Sequence, residues 1–166
     1  MQRLKSKPED ERKIYDEGID AVERSSAIAR LRFDGYEGME SLLVKLLKHP
    51  SFLLRRDAVV TLVGFWRKSE HLNAAVHLLH KDRDETVRSG AAFALGEFVA
   101  PSGQQKTFVA SELTKALKNE SQPNVQEAIY KALLKFLEPT RQFPAAQTAF
   151  KPERDVNWNL LEPYLP

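Results

Sequence analysis

The residues in this sequence that are best suited to bind a metal or to move protons are histidines. They are His49, His71, His77 and His80. His77 and His80 are three residues apart, so a helix would place them on one face, with Asp82 and Asp84 close by. A metal site in a protein needs three or four converging ligands, and this spacing establishes no third ligand. We therefore predict ordinary surface histidines, no metal and no catalytic residue.

The run Asp82–Glu85 is a second candidate, because closely spaced acidic side chains are typical of calcium loops. It lacks the glycine and the terminal bidentate glutamate of such loops. A turn and a helix start explain it better, since the helix dipole favours negative charge in the first turn. We also expect Asp82 or Asp84 to pair with Arg55 or Arg88 of a neighbouring unit, because guanidinium groups suit bidentate pairs.

The composition excludes several other kinds of chemistry. With no cysteine among 166 residues, the chain can form no disulfide, thiolate zinc site, iron–sulfur cluster or cysteine nucleophile. The sequence also lacks serine nucleophile elbows, phosphate loops and dinucleotide fingerprints. Its length and its 42% hydrophobic residues fit one folded domain. The sequence thus favours a binding protein over an enzyme, and we predict no cofactor.

Charge and hydropathy give little reason to expect nucleic acid or membrane as a partner. The 25 Lys and Arg residues nearly balance the 23 Asp and Glu residues. Residues 41–103 hold the largest basic excess, nine against six, but it falls on several faces and loops. The charged N-terminus does not resemble a secretory signal, and no run approaches the roughly 18 apolar residues of a membrane span. We expect a cytoplasmic, monomeric protein.

An internal repeat in the middle of the chain determines the expected fold. Residues 54–63 match residues 87–96 without gaps at an offset of 33, and a diverged copy at residues 125–134 follows at an offset of 38. In each copy, a step of eight residues separates a leucine of the first helix from an apolar residue of the second: Leu46 from Leu54, Leu79 from Val87 and Leu117 from Val125. The five extra residues of the third copy therefore belong to the loop over residues 100–106.

Each copy predicts a pair of helices, because apolar residues recur at spacings of three and four. In the first copy these stripes are Met39, Leu42, Leu43, Leu46 and Leu47, then Leu54, Ala58, Val59, Leu62 and Phe65. No segment alternates like a strand, so we predict an all-α chain. One helix pair cannot bury its stripe alone, whereas stacked pairs can. Gly90 and Gly96 would each cost about 1 kcal/mol inside a helix, and close packing is the expected compensation.

Residues 82–96 carry a resemblance to a known family. Their Asp-rich turn, followed by Val87-Arg88, Ala91-Ala92 and Ala94-Leu95-Gly96, resembles the HEAT-like repeat of the bilin-lyase type. The resemblance is strongest over residues 70–100 and weakens in the third copy, where Gln126 replaces the arginine. It implies a right-handed α-α superhelix of the HEAT or armadillo-like type, and usually protein binding.

These patterns predict one solenoid domain with atypical ends. The three repeats are assigned to residues 36–69, 70–103 and 104–138. Residues 9–35 are predicted to form a degenerate N-terminal unit with a break near Gly18, although one long capping helix is an alternative. Prolines and large apolar residues fill residues 139–166. We expect this tail to cap the last repeat, with a short helix near residues 153–162, rather than to dock a partner.

In such solenoids the second helices line the concave surface, and side chains between their core positions should face a partner. These candidate partner-binding residues are Arg56, Val60, Trp66, Ser89, Phe93, Glu97, Glu127 and Lys131. Val60, Phe93 and Lys131 occupy equivalent positions, and Trp66 has the chemistry of an interface hot spot. Ordinary packing between repeats is the competing explanation for Trp66 and Phe93.

Three functions are therefore considered. The first is a non-enzymatic scaffold that binds a protein partner through its concave face, for example an immunity protein that neutralises a toxin. The second, suggested by the repeat type, is a bilin lyase or lyase subunit, although repeat type reports fold rather than chemistry. The third is a HEAT-like DNA-repair glycosylase, which would need a basic groove and salt-sensitive DNA binding.

Overall fold

The computed structural model describes residues 8–33, 36–98, 103–140 and 149–165. These ranges contain ten α-helices and no strand. The helices are α1 (Pro8–Tyr15), α2 (Ala21–Phe33), α3 (Glu40–Leu46), α4 (Phe52–Val59), α5 (Leu72–Lys81), α6 (Glu85–Glu97), α7 (Gly103–Asn119), α8 (Pro123–Leu137), α9 (Pro152–Asp155) and α10 (Trp158–Leu161). Short 3₁₀ turns are found at Glu37–Met39, Ser69–His71 and Glu162–Tyr164. The start of the loop predicted over residues 100–106, the unit boundary near Gly35, and Phe143 and Pro144 of the tail lie outside the described residues.

The helices pack as stacked pairs, which confirms the prediction of an all-α solenoid. Helix α1 packs on α2, α3 on α4, α5 on α6, and α7 on α8. The second helices also contact one another in order, α2 with α4, α4 with α6 and α6 with α8. Helices α5 and α7 touch far less than α6 and α8 do. The second helices therefore form a closely packed inner row, toward which we expect the stack to curve.

Small residues allow this close approach. A β-carbon added at Gly96 of α6 would lie 2.8 Å from Cβ and 2.9 Å from Cα of Ala132 in α8. One added at Gly64 would lie 3.3 Å from Cα of Ala94. Close packing of backbones thus compensates for the unfavourable helix propensity of Gly96, as predicted. Gly90 also lies close to α4, but the atoms nearest to its added β-carbon belong to side chains: Cγ of Arg56 at 2.7 Å and Cγ2 of Val60 at 3.6 Å.

Helix α4 continues into a π-helical turn at Val60–Phe65, and this turn changes one predicted core position. Leu54 and Leu62 of the predicted stripe are fully buried, but Phe65 is 40% exposed. A π-helical turn spaces its hydrogen bonds by five residues, so the side chains that follow rotate around the helix axis. Phe98, which stands 33 residues later and directly follows the regular helix α6, is buried. The prediction that Phe65 belongs to the core stripe is wrong for this reason.

The N-terminal segment contains two helices, α1 and α2, on either side of a turn that includes Gly18. Ile14, Ile28 and Leu31 are fully buried where α1 and α2 meet and where α2 packs on α4. Arg30 of α2 also donates to Oδ1 of Asp10 in α1, at 2.9 Å from Nε. Helices α1 and α2 therefore cover the N-terminal end of the stack with apolar contacts of their own.

The described part of the C-terminal tail packs on the last helix pair. Phe150 and Leu161 are buried, and the rings of Phe150 and Tyr130 lie 6.1 Å apart. The backbone N–H of Asn157 donates to the hydroxyl of Tyr130 at 3.0 Å. Helices α9 and α10 occupy the region near residues 153–162 where one short helix was expected. Within the described ranges, no helix has the length and apolar character that crossing a membrane requires.

Candidate functional site

Arg55 of α4 joins the first repeat to the second. Its Nε and Nη2 atoms donate to the two carboxylate oxygens of Asp82 at 2.7 and 2.8 Å. Its Nη1 atom donates to the backbone carbonyls of His49 and Pro50 at 2.8 and 2.9 Å. The side chains of Arg55 and Asp82 are only 8% and 5% exposed. The predicted pairing of Arg55 with Asp82 is confirmed.

Arg88 repeats this arrangement one unit later. Its Nε and Nη2 atoms donate to the carboxylate of Glu120 at 2.7 and 3.1 Å, and Nη1 donates to the carbonyl of Asp82 at 3.0 Å. Glu120, not Asp84, is therefore the acidic partner of Arg88. Asp84 instead caps α6, where Oδ1 accepts the N–H of Thr86 at 2.9 Å. We call these two bidentate contacts, Arg55–Asp82 and Arg88–Glu120, the arginine pairs.

The junction between the N-terminal unit and the first repeat lacks the carboxylate. Arg24 takes the place of Arg55, is only 4% exposed, and donates to the carbonyl of Ile14 at 3.1 and 3.0 Å. His49 stands where the later turns have Asp82 and Glu120. Its Nδ1 atom accepts the N–H of Ser51 at 3.0 Å. Burial lowers the pKa of His49, and the nearby charge of Arg24 lowers it further.

We expect His49→Asp to raise the free energy of unfolding by about 1 kcal/mol at pH 7, because it gives buried Arg24 an opposite charge. The lowered pKa of His49 means that the wild type loses stability as the pH falls below about 6.5, whereas the variant loses none through this residue. Urea unfolding between neutral pH and about pH 5 measures both effects. His49→Asn, which removes the imidazole without adding a charge, serves as the control. A variant less stable than the wild type would contradict this reading of the junction.

Carboxylates also tie together the first helices. Glu40 of α3 lies 3.0 Å from Nε2 of His71 and 3.1 Å from Nζ of Lys68, and these two hydrogen bonds lower the pKa of Glu40. Glu112 of α7 lies 2.9 Å from Nε2 of His80. Burial alone would raise the pKa of Glu112, but hydrogen bonds from Lys115 and His80 outweigh it and lower the pKa.

The structure does not unite the histidines in a metal site. His80 turns to Glu112, whereas His77 is exposed and lines a cleft between turns. Potential ligand atoms of Glu40, Glu70 and His71 lie within 4.8 Å of one another. The ammonium group of Lys68 already occupies the coordination space of Glu40 at 3.1 Å. This cluster is therefore best described as a network of ion pairs between α3 and the turn before α5.

The arginine pairs predict a loss of stability in acid. Burial alone would raise the pKa of Asp82 and Glu120, but the hydrogen bonds from Arg55 and Arg88 outweigh it, so both pKa values lie below the ordinary range. Such carboxylates stabilise the fold above their unfolded pKa of about 4, and this contribution is lost as the pH falls through the folded pKa. We expect Glu120→Gln to have a lower free energy of unfolding than the wild type at pH 7. Between about pH 5 and 2, its free energy of unfolding should change less with pH than that of the wild type. Urea unfolding midpoints measured as a function of pH test this prediction. Parallel curves for Glu120→Gln and the wild type would contradict it.

On the second-helix face, the structure brings three of the candidate partner-binding residues to one groove. Phe93 is 45% exposed and lines a groove of about 280 Å³ between α6 and α8 with Glu97 and Lys131. Glu97 pairs with Lys135 across the two helices. Glu127 pairs with Lys131 at 2.7 Å along α8. The charged side chains around this groove thus form ion pairs with one another, and the groove between them is lined by apolar atoms.

The other candidates have different surroundings. Arg56 donates to Oδ1 of Asp57 at 3.0 and 2.8 Å and lies against Gly90. Val60 is 9% exposed, because the absence of a side chain at Gly90 lets α6 approach it, and so it offers packing rather than free surface. Trp66 is half-buried against the core, and Ser89 is also half-buried.

An exposed aromatic pair on the second-helix face was not among the candidates. Phe33 at the end of α2 is 72% exposed, and its ring meets that of Phe65 edge-on at 5.3 Å between centroids. The guanidinium of Arg32 lies 4.5 Å from the centroid of the Phe65 ring. Alignment of α2 with the repeats would have placed Phe33 on this face, at the position of Glu97. No sequence signal indicated the π-helical turn that exposes Phe65.

Comparison with known proteins places this architecture among described families. The profile of HEAT repeats matches residues 39–133. The 26S proteasome non-ATPase regulatory subunit 1 of Dictyostelium discoideum is 37% identical over 100 residues, which is 58% of this chain and 10% of that protein. The chain thus spans about a tenth of the length of this curated relative. No solved structure matches significantly. Because the repeat match covers more than half of the chain, the chain belongs to the family of HEAT-repeat proteins.

Proposed function

We propose that the chain is a protein-binding scaffold and that its partner docks on the face formed by the second helices. The observation that carries this proposal is Phe93, a large apolar side chain that is nearly half exposed above an apolar groove. Exposed aromatic side chains beside pockets are typical anchors of protein interfaces. Burying the remaining surface of Phe93 under a partner would stabilise the complex.

The surroundings of Phe93 have the composition of an interface core with a polar rim. The floor of the groove is formed by small residues, Gly96, Ala128 and Ala132. Glu97 and Lys131, at its edges, already have ion-pair partners, so a docking partner need not neutralise an isolated charge. An apolar centre inside a ring of polar groups is the usual anatomy of protein–protein contacts.

The comparison supports binding of proteins in general terms. The Dictyostelium relative is named as a subunit, and a subunit functions inside an assembly of proteins. The similar region is a small part of that protein, so we transfer only the ability to contact other proteins. The immunity-protein, bilin-lyase and glycosylase hypotheses stay predictions, as do the cytoplasmic location and the monomeric state. None of the contacts in the described residues favours any of them.

Site-specific crosslinking tests the proposal. A photoreactive phenylalanine analogue at position 93 should capture a protein from lysate of the source cells, and excess wild-type chain should compete for it. The matched control places the analogue at Phe108 of α7, which is 39% exposed on a first helix. Products obtained from position 93 but not from 108 are expected. The same products from both positions, or none that the wild type competes away, would contradict the proposal.

A further inference from the structure

We propose a second binding site, separate from the second-helix face: a cleft between the turns of the first two repeats that binds a phosphate group. The cleft has a volume of about 400 Å³. One wall is the turn over residues 47–50, and the other is formed by the end of α5 and the turn over residues 81–83. Lys48, Lys81 and Arg83 line it, and all three side chains are exposed.

Positive charge is in excess in the cleft, which Lys48, Arg55, Lys81 and Arg83 line together with one carboxylate. Lys48, Lys81 and Arg83 have no ion pair within the part of the chain that the structure describes. The acidic residue lining the cleft is Asp82. Both of its carboxylate oxygens accept hydrogen bonds from Arg55, at 2.7 and 2.8 Å, so its charge is already balanced. Three cations therefore line one cleft, and among the described residues no carboxylate lies within ion-pair distance of them.

The repeat explains why the cations meet there and not at the next junction. Lys48 and Lys81 are equivalent residues, 33 positions apart, and stacking sets their turns side by side. The equivalent residue of the third repeat is Asn119, which carries no charge and donates to the carbonyl of Lys115 at 2.9 Å. Four of the nine basic residues of residues 41–103 thus line one cleft, namely Lys48, Arg55, Lys81 and Arg83.

A phosphate group is the chemistry that fits this cleft best. Lysine ammonium groups bind phosphate as point charges, and an arginine guanidinium can donate two parallel hydrogen bonds to it. His49 and His77 also line the cleft. Because Nδ1 of His49 accepts the N–H of Ser51, its proton is on Nε2, which makes this atom a donor. A dianion compensates more of the triple positive charge than a single carboxylate would. The volume leaves room for a small group esterified to the phosphate.

The histidines allow a site-resolved test by NMR. Inorganic phosphate and phosphoserine are titrated at constant ionic strength, with chloride as the balancing anion. We expect the imidazole signals of His49 and His77 to shift and saturate, with a dissociation constant of about 1 mM or tighter. His71 and His80, which pair with Glu40 and Glu112 outside the cleft, should not move. Equal affinity for both probes means that the phosphate group alone is recognised, and tighter binding of phosphoserine means that its carrier contributes.

Variants decide whether the cations carry the binding. The double variant Lys81→Ala, Arg83→Ala should weaken the binding of both probes at least about tenfold, because two charge-assisted contacts are lost. The matched control is Lys45→Ala with Lys118→Ala, which removes two exposed lysines outside the cleft. Unfolding curves confirm that both variants fold. Shifts of all four histidines without saturation, or identical titrations of the double variant and the wild type, would overturn the proposal.

Discussion

Arg55→Ala should lower the free energy of unfolding by about 3–5 kcal/mol at pH 7. The substitution leaves the carboxylate of Asp82, only 5% exposed, without its counter-charge. It also removes the donor from the carbonyls of His49 and Pro50. Domains of this size are stable by about 5–15 kcal/mol, so one side chain would account for a large share of the stability. Urea unfolding followed by circular dichroism measures the change.

Two further variants separate the ion pair from a general effect of losing arginine. Arg83→Ala removes an exposed arginine next to Asp82 and should change the stability by no more than about 0.5 kcal/mol. Combining Arg55→Ala with Asp82→Ala should cost less than the sum of the two single changes, because no lone buried charge remains. Equal effects of Arg55→Ala and Arg83→Ala would show that the arginine pairs do not hold the repeats together.

Gly96→Ala should destabilise the protein, although alanine is the better helix former. The added methyl group would lie 2.8 Å from Cβ and 2.9 Å from Cα of Ala132, and backbone cannot turn aside as a side chain can. Overpacking of this kind typically costs about 1–3 kcal/mol, which outweighs a propensity gain of about 1 kcal/mol. Thermal unfolding should show a midpoint lower by a few degrees.

Gly90→Ala in the same helix is the matched control. The atoms nearest to its added methyl group belong to side chains, Cγ of Arg56 at 2.7 Å and Cγ2 of Val60 at 3.6 Å, not to backbone. Arg56 can change rotamer to relieve the contact, but its hydrogen bonds to Asp57 would have to rearrange. This cost offsets the propensity gain, and we expect a change within about 1 kcal/mol of zero. Similar changes in stability for Gly90→Ala and Gly96→Ala would mean that close contact of α6 with α8 is not the reason for glycine at position 96.

Local patterns in the sequence were enough to predict the fold and part of the candidate site. The Val-Arg and Ala-Leu-Gly signature at residues 87–96 recurs with a fixed offset, and each copy is a complete helix pair. The acidic turn before α6 predicted the partner of Arg55, because consecutive repeats set equivalent turns side by side. Phe93 could be placed between core positions by helical periodicity alone.

Most of what could not be predicted depends on contacts between units, and one feature depends on an irregular helix turn. The exposure of Phe65 follows from a π-helical turn, for which the sequence has no local signal. The burial of Val60 depends on the missing side chain of Gly90 in the next helix. Charge counted along the chain hid the basic cleft, because Lys48 and Lys81 meet only after the turns stack. His49 differs from the acidic residues at the equivalent positions, Asp82 and Glu120, and this difference emerges only when the three junctions are compared.

The most direct measurement compares the affinity of wild type, Phe93→Ser and Phe108→Ser for the protein captured at position 93, alongside their unfolding temperatures. If the second-helix face is the binding surface, Phe93→Ser should weaken binding by about 2 kcal/mol or more, which is about thirtyfold, and Phe108→Ser should change it little. Both chains should remain folded at the assay temperature. Unchanged affinity of Phe93→Ser, together with an unfolding temperature lower by several degrees, would instead show that Phe93 serves packing between repeats.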